Sequence, residues 1–87
     1  MKLLRISAVW CPACIIMRPR VDKLLEEFPS IESIEYDYDM DEDIIEKYQI
    51  KDILPVFILC DNDKELVRII GEKSIEQMKE ILKGCLK

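Results

Sequence analysis

Two cysteines two residues apart, in Trp10-Cys11-Pro12-Ala13-Cys14, are the residues of this chain best suited to covalent chemistry, and the chain has no histidine. Thiols at that spacing serve as a dithiol that exchanges with disulfides, as part of a metal site, or simply as two small core residues. The other two cysteines, Cys60 and Cys85, bear on the choice. Zinc takes four ligands, so without histidine all four cysteines would have to converge. A soft cation such as Cu(I) needs only the two thiolates of Cys11 and Cys14.

The elements around the pair decide what it can reach. Residues 2–9, KLLRISAV, place Leu4, Ile6 and Ala8 on one face of an interior strand that ends at Trp10. From Cys11 to Phe28, Cys14, Met17, Val21, Leu24, Leu25 and Phe28 recur at helical spacing, and Arg18, Arg20, Lys23, Glu26 and Glu27 fill the other face. Residues 32–38 alternate Ser33, Glu35 and Asp37 against Ile34, Tyr36 and Tyr38, the period of a half-buried strand. The acidic run Asp39 to Asp43 suits the N-terminus of a short helix carrying Ile44, Ile45 and Tyr48. Pro55-VFILC and Glu65 to Ile70, joined by Asp61-Asn62-Asp63, read as a hairpin. Gly71 breaks the chain, Ser74 and Gln77 form a capping box, and Ile75, Met78, Ile81, Leu82 and Cys85 mark the last helix. The order is β-α-β-α-β-β-α, an α/β fold with a four-stranded mixed sheet flanked by helices.

In this order Cys11 falls at a helix N-cap or first turn, where unpaired N–H groups and the helix dipole stabilise a thiolate; it is the expected nucleophile. Cys14, one turn deeper on the same face, can attack a mixed disulfide formed at Cys11 and is the expected resolving thiol. Pro12 sits where a missing N–H costs a helix nothing. Cys60 ends a strand about 15 Å from the pair at the rise of a strand, and Cys85 ends the returning helix. Both are expected at the far end, close enough to be neighbours but as buried free thiols, so a four-cysteine metal cluster is disfavoured.

Bulk properties exclude other classes. Eighty-seven residues suffice for one small core, and a net charge of −5 with interspersed acids and bases carries no basic patch for nucleic acid. The apolar start is interrupted by Arg5 and Ser7 and has no cleavage site, so no signal peptide, no membrane span and a cytoplasmic setting are expected, with Met1 opening a complete chain. In that compartment cysteines are catalytic or metal-binding more often than structural.

The motif Trp10-Cys11-Pro12-Ala13-Cys14, Pro19 five residues beyond it, Asp39 and Tyr48 around the second helix, Ile53-Leu54-Pro55 before a β-rich run, and Gly71 before the last helix together resemble the thioredoxin superfamily. The resemblance covers nearly the whole chain, in order. In length the chain is similar to glutaredoxins and small glutaredoxin-like thioredoxins, which lack the extra N-terminal strand and helix. It implies a thioredoxin-like domain over residues 1–87, a monomer that reduces protein disulfides through a redox-active Cys11–Cys14 disulfide with no other cofactor. Trp10, Pro12 and Ala13 would support the site. Leu54-Pro55, as the family's cis bond, would offer the Leu54 backbone to an extended substrate, and Gly71 would let a partner backbone approach.

Three departures stand out, one of them a loop, YQIKDILP, that is one residue longer than the common pattern. Pro-Ala separates the cysteines where thioredoxins usually have Gly-Pro. Arg5 occupies the place, six residues before the first cysteine, of a buried acid tied to the resolving thiol's proton relay; if it lies nearby, it favours thiolate. Glutaredoxins commonly carry Thr-Val-Pro and Gly-Gly or Gly-Asp around glutathione; here these are Ile53-Leu54-Pro55 and Gly71-Glu72. Glu72 and the acidic surface disfavour glutathione's carboxylates, so the expected donor is a thioredoxin-reductase-type flavoenzyme. A soft-metal-binding module and a redox-inactive thioredoxin-like interaction module stay open.

Overall fold

Because Leu3 to Ile6 are buried on both sides of the backbone, the first strand, β1 (Lys2–Ser7), has to run through the middle of a sheet. In the computed structural model, which describes residues 1–86, it does so. The remaining elements are α1 (Pro12–Glu26), β2 (Glu32–Asp37), α2 (Glu42–Lys47), β3 (Val56–Asp61), β4 (Lys64–Ile70) and α3 (Ile75–Cys85). The strand order is β2-β1-β3-β4. β1 runs parallel to β2 with Arg5 opposite Glu35, and antiparallel to β3, which continues antiparallel into β4. Asn62 and Asp63 turn the hairpin with φ of 50° and 70°, the paired left-handed conformations of a tight two-residue loop.

Strand alternation divides the interior in two. Leu3, Phe57, Leu59 and Ile69 pack under Met17, Val21 and Leu24 of α1 and Met78 and Leu82 of α3. Leu4, Ile6, Val56, Ile58 and Cys60 pack with Ile45 of α2 and with Tyr48 and Ile50 just beyond it. Cys60 is thus buried in one cluster, whereas Cys85 packs, half-buried, against the other. The expectation that these two thiols lie near one another is corrected: period-two alternation in β3 turns Cys60 away from the face that α3 covers.

Element ends differ slightly from the sequence reading. The strand expected to run on to Trp10 stops at Ser7, because the Cys11 N–H donates to Ala8 O at 3.2 Å and closes a turn ahead of the helix. The helix expected through Phe28 ends at Glu26, where the N–H groups of Glu27 and Phe28 form shorter-range bonds to Leu24 O and Leu25 O. No helix among the described residues is long and apolar enough to cross a membrane.

The start of α3 is fixed by a reciprocal pair. Ser74 Oγ accepts from the Gln77 N–H at 3.1 Å, and Gln77 Oε1 accepts from the Ser74 N–H at 2.9 Å. Replacing Ser74 by alanine should therefore lower the unfolding free energy by about 1 kcal/mol, read from denaturant midpoints. An unchanged midpoint would show that the cap adds nothing to the packing of Met78 and Leu82.

Candidate active site

The four residues between β1 and α1, Ala8 to Cys11, determine where the two thiols stand. Cys11 is the N-cap of α1, in extended conformation at φ −92° and ψ 111°, with Pro12 following in the first turn. Its Sγ accepts a hydrogen bond from the Cys14 N–H at 3.2 Å, one of the donors that a helix start leaves unpaired. The sulfur thus does what a serine or aspartate does at other caps. Both cysteines are free thiols and each is only 5% exposed. Burial pushes the Cys14 thiol up to about 11 from an ordinary 9.0; its hydrogen bonding with Cys11 adds to the rise, and a backbone hydrogen bond at Ala8 opposes it. Cys14 therefore keeps its proton at neutral pH.

Around the pair the surface is apolar. Trp10 is 54% exposed, with its indole N–H donating to Asp39 Oδ2 at 2.7 Å and its ring edge-on to Tyr38 at 6.1 Å. Val9 and Ile53 are also exposed, Pro12 is exposed, and Ala13 is half-buried against the α2-side cluster. The Leu54–Pro55 peptide is cis, and Pro55 lines a small cavity together with Cys14. Gly71 donates its N–H to Pro55 O at 2.8 Å and has φ of +85°, so its glycine answers a backbone need. A Cβ there would meet nothing within 4 Å, leaving open space above the residue. Among the described residues no cluster of three or more histidine, cysteine, aspartate or glutamate side chains is arranged to hold a metal.

The thioredoxin family model matches residues 1–84. The chain belongs to the thioredoxin family. It is similar to a thioredoxin H-type of Fagopyrum esculentum, 29% identical over 75 residues that make up 86% of this chain and 64% of that protein. It is similar also to thioredoxin H2 of Arabidopsis thaliana, 30% identical over 77 residues, 88% of this chain and 57% of the relative. The chain thus spans rather less than two thirds of the length of these thioredoxins. The crystal structure of thioredoxin from Trypanosoma brucei brucei superposes with a TM-score of 0.88 at 26% identity, covering 98% of this chain and 74% of that one.

Against the thioredoxin pattern, the unusual feature lies beneath Cys14. Arg5 is the one charged residue among the described residues that is buried in the core, 7% exposed, at the centre of the sheet. Its guanidinium donates to Asp22 Oδ1 at 2.9 Å and Ser33 Oγ at 3.4 Å, reaches the Arg18 carbonyl at 3.5 Å, and stands 3.6 Å from Glu35 Oε1. Arg18 approaches the other oxygen of Glu35 at 3.9 Å. Arg5, Arg18 and Glu35 all line the cavity that touches Cys14. Sequence reading singled out Arg5 but missed Glu35 and Arg18 as part of the site. Arg18 carried a signal, standing four residues after Cys14 on the same helical stripe; Glu35 carried none until the β1–β2 register was known.

A pH dependence follows from the raised Cys14 value. The folded protein holds this proton more tightly than the unfolded chain, so the stabilisation is complete below about pH 9 and is lost as pH rises towards about 11. Over that window the reduced protein should lose more stability than a Cys14→Ala variant does, as measured by denaturant unfolding. Equal losses in the two proteins would mean that Cys14 titrates as an ordinary thiol.

Proposed function

We propose that this chain is a dithiol–disulfide oxidoreductase that reduces protein disulfides, with Cys11 as nucleophile and Cys14 as resolving thiol. The observation that carries the reading is the inequality of the two sulfurs at one helix start. Cys14 keeps its proton at neutral pH, and Cys11, whose sulfur accepts the Cys14 N–H at the helix start, is the sulfur assigned the first attack. Attack on a substrate disulfide forms a Cys11–substrate bond and releases one substrate thiolate. Cys14 then displaces the second substrate sulfur from Cys11, and the Cys11–Cys14 disulfide is left to be reduced by a donor. That disulfide is the redox group, and the reading needs no other cofactor.

Substrate docking rests on main chain and an apolar rim. Leu54 is buried, and neither its N–H nor its C=O makes a backbone hydrogen bond among the described residues, so both are free to pair with an extended segment. Trp10, Pro12, Val9 and Ile53 give that segment an apolar border, and the open space above Gly71 admits its backbone. Because Cys11 itself is only 5% exposed, the substrate sulfur has to approach within that border. A flavoenzyme of the thioredoxin-reductase type is the donor in this reading, supported by family membership and by the Glu72 carboxylate next to Gly71, which repels a second carboxylate such as glutathione carries. A cytoplasmic, reducing setting and a monomeric state belong to the same reading.

Reduction of an insulin-like disulfide tests it. Cys11→Ser should abolish turnover, and Cys14→Ser should allow attack but trap a covalent mixed disulfide visible by mass. Turnover retained in Cys11→Ser would rule out the assigned nucleophile.

A further inference from the structure

Resolution by Cys14 requires that its proton leave, and the environment of the thiol limits where it can go. The cavity against Cys14 has a volume of about 10 Å³, close to the ~10–15 Å³ that admits a single water. Its lining brings together β1, β2, β3, α1 and Pro55. Of these residues Arg5 and Arg18 are cations, and Ser7, Pro55 and Phe57 carry no group that binds a proton at neutral pH. Glu35 alone offers a base. Its carboxylate is held from both sides, by Arg5 at 3.6 Å and by Arg18 at 3.9 Å, yet its side chain is 51% exposed. One end of the group therefore faces the cavity lining and the other faces bulk water.

We propose that Glu35 accepts the proton that Cys14 gives up on attack, relayed through the cavity beneath the thiol, and that Arg5 and Arg18 are positioning residues that hold its carboxylate at the cavity mouth. The inference rests on the dithiol reading above. In the step itself the Cys14 S–H bond breaks and its proton passes to the Glu35 carboxylate. The Cys14–Cys11 bond forms, and the bond from Cys11 to the substrate sulfur breaks, with the electron pair leaving on the substrate thiolate. Glu35 returns its proton to solvent, from which the substrate thiolate is protonated. Two thiols are oxidised and one substrate disulfide is reduced.

The charged neighbours act in consistent directions. Arg18 lies close enough to Cys14 to favour its thiolate, while Cys11 disfavours it. When Cys11 is bonded to the substrate sulfur it can no longer become a thiolate, so a charge on Cys11 cannot oppose one on Cys14. Asp22, 2.9 Å from Arg5, fixes the guanidinium from the α1 side.

The two sulfur steps can be timed separately with dithiobis(nitrobenzoate), at one equivalent, in a Cys85→Ser background that removes the half-buried thiol outside the site. The first coloured thiolate reports attack by Cys11, and the second reports displacement by Cys14. Glu35→Gln should leave the first release unchanged and slow the second by about tenfold or more, a conservative share of what a positioned proton acceptor contributes. The second rate should then climb with hydroxide concentration, and Glu35→Asp, which keeps a carboxylate, should recover part of it. Electrostatics alone predicts the opposite sign, because removing a negative charge near Cys14 favours its thiolate. A second release in Glu35→Gln as fast as in the parent, or faster, overturns the proposal. A parent protein that gives no second release overturns the dithiol reading beneath it.

Discussion

The hydrogen bond from the Cys14 N–H to the Cys11 sulfur is the contact on which the arrangement depends. It makes a thiol the N-cap of α1, so the start of the helix and the position of the candidate nucleophile are one structural fact. Everything nearby serves that junction. β1 ends at Ser7 and a turn closes from Cys11 N to Ala8 O, which lifts the helix start over the end of the sheet. Pro12 follows without needing a hydrogen-bond partner. One turn further along the same helix start, Cys14 is as buried as Cys11, and burial holds its proton. The two sulfurs differ in their backbone partners, since only that of Cys11 accepts the Cys14 N–H.

The second constraint is a charge in an apolar place. Burying a guanidinium costs several kcal/mol before any partner is counted. The partners of Arg5 are wet: the Asp22 and Glu35 side chains are 60% and 51% exposed, and ion pairs to carboxylates so exposed return only about 0–1 kcal/mol each. By that comparison an apolar residue at position 5 would hold the sheet together at least as well. The place of Arg5 is better understood from what it sits beside, since the cavity it lines touches Cys14. Sheet stability and the chemistry of the candidate resolving thiol meet at this residue.

Much of the fold was legible because its signals are local. The 3.6-residue spacing of Cys14, Met17, Val21 and Leu24 marked α1, the period-two pattern of residues 32–38 marked β2, and Ser74 with Gln77 marked the start of α3. The cysteine motif was legible for the same reason. What escaped depends on register and on faces. That Glu35 stands opposite Arg5 follows only from the parallel pairing of β1 with β2, and that Cys60 and Cys85 part company follows from which face each helix covers. The contact between Trp10 and Asp39, 29 residues apart, likewise belongs to the assembled sheet. The strand overrun at Ala8 to Trp10 has another origin: three apolar residues continue the hydrophobic run, while a single hydrogen bond at Cys11 turns the backbone.

The central claim is that Cys11 and Cys14 form a reversible redox couple. It is tested most directly by equilibrating the metal-free protein with thiol–disulfide buffers of graded potential, trapping free thiols with an alkylating mass tag and locating the tags by mass spectrometry. The account predicts one two-electron transition in which Cys11 and Cys14 lose their tags together, while Cys60 and Cys85 keep theirs. Thiols that titrate independently, or a pair that stays fully reduced across the whole range, would contradict it.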